Sequence, residues 1–145
     1  MATLLSMACP CASGPLKSDD PREGELISKA IDTLTWESMN GSHSGPSPGS
    51  DEAKYLQGLG TRASAQLVDV LEDPDRGVAA HVVLSHIWNC SHTYREDYSF
   101  DSKGSISGWT SECDGLRWTY RDRKESAEPA ELAINARRCR ERLGL

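Results

Sequence analysis

Apolar positions recur along this chain with two different periods, and the change between them falls near residue 90. Behind Asp20-Pro21-Arg22-Glu23, residues Ile27, Ala30, Ile31 and Leu34 recur at helical spacing, and Trp36 and Met39 extend that surface. Asp20 is placed to cap this helix, Pro21 suits its first turn, Glu23 stands at the capping-box position, and Asn40-Gly41 ends it. A second stripe, Leu56, Leu59, Ala63, Leu67, Val70 and Leu71, predicts a helix over 52–72, weakened in its first half by Gly58 and Gly60. Asp73-Pro74 then opens a third helix, which runs to about Asn89. Its apolar set is broad (Val78 to Ala80, Val82 to Leu84, Ile87, Trp88), so this helix is expected at the centre of the fold.

From Tyr94 the period becomes two. Tyr94, Glu96, Tyr98 and Phe100 alternate, as do Leu116, Trp118 and Tyr120, and between these runs lies Ile106–Thr110 with Trp109. Asp114-Gly115 is a favoured two-residue hairpin turn. A last helix begins near Ala127-Glu128-Pro129; its narrow stripe of Leu132, Ala136, Cys139 and Leu143 places it on the outside. The fold class is α+β: an N-terminal helix, a helical hairpin, a small antiparallel β-meander carrying aromatics on one face, and a C-terminal helix. Residues 1–18 read as a loose tail, 19–145 as one domain, and the Gly/Ser/Pro-rich 41–50 as a linker that offers nothing to a core.

The stretch from Leu67 to Leu84, a leucine-rich helix ending in Asp73-Pro74, then Arg76 and an Ala/Val-rich helix, resembles the junction of a HEAT-type helical repeat. The resemblance covers one repeat, residues 61–88, and implies antiparallel helix packing and a partner-binding role. No second copy occurs, and strands follow where such arrays would stack another unit.

A chain of 145 residues makes one ordinary domain. The net charge of −6 is uneven: Asp19 to Asp75 holds twelve acidic and four basic residues (−8), Arg117 to Arg142 eight basic and five acidic (+3). The acidic balance argues against nucleic acid as a partner. No run approaches the roughly 18 apolar residues of a membrane span. Five widely spaced cysteines, Cys9, Cys11, Cys90, Cys113 and Cys139, and an opening segment without a basic n-region point to a reducing cytoplasm.

Four groups of residues carry candidate chemistry. His86 and Cys90 share a helical face, His92 follows, and Cys113 comes from the meander, so these four have the donor types of a Cys2His2 zinc site; the spacing matches no standard finger. His81, Ser85, Asn89 and His92 form one polar stripe, either lining a pocket, facing solvent, or tied to the meander. Arg137, Arg138 and Arg140 are candidates for an acidic partner or phosphates, although cations in a last turn also suit the helix dipole. The fourth group, Cys9-Pro10-Cys11, has soft-metal ligands but lies in the expected tail. No phosphate-cradling glycine loop and no Gly-x-Ser-x-Gly elbow occurs. The expectation is a non-enzymatic protein-interaction or structural module using the helical hairpin or the aromatic meander. The alternative is a small zinc-binding or hydrolytic protein centred on His81, His86, Cys90 and His92.

Overall fold

A computed structural model describes residues 14–41, 44–88, 93–122 and 124–145. The fold is α+β. In chain order it comprises α1 (Pro21–Asp32), β1 (Met39–Asn40), β2 (Ser47–Pro48), α2 (Asp51–Leu59), α3 (Ser64–Val68), α4 (Gly77–Trp88), β3 (Tyr94–Phe100), β4 (Ile106–Cys113), β5 (Leu116–Arg121), β6 (Lys124–Ser126) and α5 (Pro129–Leu143). β1 and β2 pair with each other, and β3-β4-β5-β6 form an antiparallel meander in sequence order.

The breadth of apolar positions on α4 follows from its two contact faces. Ala79, Ala80, Val83 and Leu84 join residues of α1, α2 and α3, such as Ile27, Ile31, Leu56 and Leu67, in one cluster. Val78 and Val82 join Cys113, Leu116, Trp118 and Leu132 of the sheet and α5 in a second. All nine residues from Gly77 to Ser85 are buried, so α4 is the central rod that the sequence predicts. α5 buries only Leu132, Asn135 and Ala136, as its narrow stripe requires.

Several boundaries differ from expectation. α1 has its Asp20 cap, with Oδ1 accepting from Arg22 N, but ends at Asp32. Trp36–Ser38 forms a short 3-10 turn and Met39 enters a strand; Trp36 leaves the helix to meet Trp118 edge-to-face, with ring centroids 5.6 Å apart. The expected helix over 52–72 breaks at Gly60, whose φ of 61° a helix interior does not allow, and a 3-10 turn, Gly60–Ala63, links α2 to α3. Asp73 does cap, accepting from Asp75 N and Arg76 N, but Pro74–Arg76 form a turn and the helix starts at Gly77. The meander gains a fourth strand, β6.

The stretch 41–50 is no bare linker. Gly45, Pro46 and Pro48 are buried, Gly49 N and Ser50 N both donate to Ser38 O, and His86 Nε2 donates to Pro46 O at 3.0 Å. Proline is apolar and keeps a carbonyl acceptor, so a composition typical of linkers here packs onto α4. Residues 1–13 of the expected tail, with Cys9 and Cys11, lie outside the described residues; within 14–18, Leu16 O accepts from Ala65 N at 2.9 Å and ties that stretch to α3. Among the described residues, no helix is long and apolar enough to cross a membrane.

Candidate binding surfaces

Register decides what the sheet offers. Tyr94, Cys113 and Leu116 stand side by side, then Glu96, Ser111 and Trp118, then Tyr98, Trp109 and Tyr120, and finally Phe100 opposite Ile106. Directly opposed residues share a face and alternation keeps every second residue of β3 on it; a register shift between Ser99 and Phe100 sets Ile106 opposite Phe100, so all of these belong to the inner face. At one end that face is core: Cys113, Leu116, Trp118 and Ser111 are at most 1% exposed. At the other end it meets water, with Tyr98 50%, Phe100 63% and Ile106 58% exposed. Tyr98 and Trp109 are 6.5 Å apart between ring centroids, and Trp109 stacks on Tyr120 at 4.3 Å. These rings form an aromatic ledge beyond the helices. The outer face is polar, with Arg95 and Arg117 both paired to Glu112.

The ledge borders the sheet's edge. β3 pairs with β4 on one side and, among the described residues, with no strand on the other. The Glu96 carboxylate on this edge accepts from the hydroxyls of Tyr94 and Tyr98, the latter at 2.7 Å. Both phenols are held above their ordinary pKa, Tyr94 chiefly by burial and then by Glu96, Tyr98 chiefly by its bond to Glu96. Glu96 and the exposed Asp97 have no cationic partner among the described residues.

A cleft lies at the opposite end of β4, between α4, α5 and the β4–β5 turn. Its walls include His81, Ser85, Trp88, Asp114, Arg138 and Arg142, and its volume is about 50 Å³. A buried relay runs beneath it. His81 Nε2 donates to Cys113 O at 2.8 Å, Asn135 Nδ2 donates to His81 Nδ1 at 3.1 Å, and Asn135 Oδ1 accepts from Arg138 Nη2 at 2.9 Å. A carbonyl can only accept, so His81 carries its proton on Nε2 and uses Nδ1 as an acceptor. His81 and Asn135 are 3% and 1% exposed. The turn makes room for the end of the relay: Asp114 and Gly115 have φ of 46° and 88°, and a Cβ on Gly115 would lie 2.8 Å from the Arg138 guanidinium nitrogens.

The sequence candidates distribute as follows. His81 and Ser85 of the polar stripe are buried and line the cleft, with His81 tied to the meander; Asn89 and His92 lie outside the described residues. Cys90 and His92 of the zinc set also lie outside them. His86 comes five residues after His81, about 140° around the helix, and bonds Pro46, whereas the Cys113 carbonyl bonds His81. Burial, reinforced by Asp114, pushes the Cys113 thiol far up. No group of three or more metal-ligating side chains occurs among the described residues. Of the arginines, Arg138 reaches the cleft, Arg140 pairs with Glu72 at 3.5 Å, and Arg137 is exposed. Sequence reasoning missed Asn135, which interrupts a helical stripe and gains a role only through its contact with α4.

Comparison with protein-family models, with curated proteins and with solved structures gave no match.

Proposed function

We propose that this chain is a protein-interaction module that receives an extended segment of a partner protein along β3, with the partner's alternate side chains resting on the aromatic ledge. The observation that carries the reading is the continuity of the inner face, whose apolar ladder runs out of the core into water at Tyr98, Phe100 and Ile106. A partner strand hydrogen-bonds through its backbone, and the ledge selects its side chains. On the inner face, beside Tyr98 and Phe100, it needs large apolar groups; on the outer face, beside Asp97, it needs Lys or Arg. A second copy of the chain fits less well. In antiparallel β3–β3 pairing, the register of full overlap sets Asp97 against Asp97, and like charges directly opposed destabilise a pair. The likeness of 61–88 to a HEAT-type junction agrees with a partner-binding role, and widely spaced cysteines agree with a reducing, cytoplasmic setting. The chemistry of the cleft adds no catalytic pair, since both ring nitrogens of His81 are engaged in the relay.

The test uses three peptides of seven residues: alternating Ile and Lys, alternating Ile and Glu, and a scrambled control. The Ile/Lys peptide is expected to shift the amide resonances of 94–100 saturably and to bind at least about tenfold more tightly than the others. The double variant Tyr98→Ser/Phe100→Ser is expected to lose that binding while keeping its melting temperature. Equal binding of all three peptides, or shifts centred away from β3, overturns the reading.

A further inference from the structure

We infer that the cleft between α4, α5 and the β4–β5 turn is a binding site for a small organic anion, a carboxylate or phosphate monoester bearing a short apolar group. This is independent of the ledge, which lies at the other end of β4.

The inference starts from the relay. Burying a histidine and an asparagine side chain is costly unless their polar atoms are bonded, and here the bonds form a chain with a direction. It begins at the fixed carbonyl of Cys113, passes through His81 and Asn135, and ends at one guanidinium nitrogen of Arg138 at the cleft wall. The chain fixes an arginine whose side chain would otherwise move freely in solvent, and such ordering before binding lowers the cost of binding. Arg138 has no carboxylate partner among the described residues, nor has Arg142, although Arg140 on the same helix does. Two guanidiniums therefore face the cleft with donors to spare, in the planar geometry that suits carboxylate and phosphate oxygens.

Charge and size narrow the ligand. Asp114 also lines the cleft, its Oδ1 accepting from Thr93 N at 2.8 Å and Thr93 Oγ1 at 3.2 Å, so the side chains named carry a net +1 and suit one anionic head group. Cys139, in the same wall, reports the field: burial pushes its thiol up, while Arg138, Arg142 and Arg140 each pull it down. At roughly 10–15 Å³ per water, the cavity of about 50 Å³ holds a head group of a few heavy atoms. Leu84, Trp88 and Leu143 supply the apolar walls against which a short tail would lie.

The test titrates the full chain with hexanoate, phenyl phosphate, acetate and hexanol, followed by amide resonances. Hexanoate or phenyl phosphate is expected to shift the amides of Ser85 and residues 138–143 saturably, and the tighter of the two identifies the head group. Acetate, lacking the tail, and hexanol, lacking the charge, should each bind at least about tenfold more weakly. Among the described residues Arg142 makes no side-chain bond, so Arg142→Ala should weaken binding about tenfold at nearly constant melting temperature, while Arg140→Ala leaves it unchanged. The inference is overturned if neither hexanoate nor phenyl phosphate saturates, if hexanol matches them, or if Arg142→Ala binds as tightly as the parent.

Discussion

The relay beneath the cleft makes a quantitative prediction. Asn135→Leu is close in volume and takes from His81 Nδ1 its Asn135 donor; Arg138 loses an acceptor as well, but its exposed guanidinium turns to water. Depriving a buried polar atom of its partner costs about 1–3 kcal/mol. His81→Leu removes two bonds at once, to Cys113 O and from Asn135, and should cost about 2–4 kcal/mol. The double variant deletes both ends of the His81–Asn135 bond, so that loss is counted once. It should fall short of the sum of the single variants by about 1–2 kcal/mol. At this chain length Asn135→Leu alone should lower the melting temperature by about 3–9 °C, using about 3 °C per kcal/mol. Urea unfolding followed by the fluorescence of the four tryptophans gives all three values. Additivity within about 0.5 kcal/mol would show that the two residues act separately and would refute the relay.

Three further outcomes follow from other parts of the fold. Burial, and then the negative charge of Asp75, raises the Glu125 carboxyl to about 7, while Lys124 opposes the shift. The folded state therefore holds a proton that the unfolded chain releases nearer pH 4.5: this group's contribution is full below about 4.5 and is lost as pH rises through about 7. After allowance for its half-exposed position it is worth about 1 kcal/mol, and the difference in unfolding free energy between Glu125→Gln and the parent should change by that amount between pH 5 and 8. Gly115→Ala should cost about 1 kcal/mol by thermal unfolding, because its φ of 88° disfavours a Cβ, while the adjacent Arg138 guanidinium can move aside. Tyr98→Ser and Phe100→Ser, taken singly, should each change unfolding free energy by less than about 0.5 kcal/mol, as their exposure requires; a larger loss would place them in the core and remove the ledge.

Periodicity and punctuation made the broad architecture legible. Asp20-Pro21, the apolar breadth of α4, the alternation from Tyr94, Asp114-Gly115 and the narrow stripe of α5 each predict the element that occurs. What failed was composition used without geometry. Gly45, Pro46 and Pro48 have the composition of a linker yet are buried, because a proline-rich turn can present an apolar surface and still have a carbonyl, that of Pro46, bonded from α4. The candidate sites were half legible for the same reason. The polar stripe on α4 announced itself, since His81 and Ser85 interrupt an apolar helix, but its partner on α5 did not. Asn135 lies fifty-four residues from His81, and no local pattern signals a pairing at that separation. Exposure of the ledge was equally hidden: Tyr98 and Trp118 occupy equivalent positions in alternating runs, and only the length of the helical layer decides which one is covered.

The twelve residues of α4 span about 18 Å and the eight of β4 about 27 Å, so β4 is longer than α4 by about 9 Å, or two to three residues. Tyr98, Phe100 and Ile106 form an exposed overhang beyond the last buried rungs at Ser111 and Trp118. A meander serving only its own core could end there or turn polar on both faces, as its outer face already is with Arg95, Glu112 and Arg117. Instead the inner face remains aromatic to its tip, and Trp109 and Tyr120 stack to hold Tyr98 upright at the edge. Adjoining apolar side chains in water are a standing aggregation hazard at a strand edge, and charged residues limit it. Glu96 and Asp97 do so here against a second copy of the strand, while leaving it open to a partner of opposite charge. The overhang and its acidic border thus belong to one arrangement, and a variant such as Glu96→Gln/Asp97→Asn should both weaken binding of the Ile/Lys peptide and increase self-association, as read by sedimentation. Loss of binding without self-association would leave the electrostatic guard unsupported.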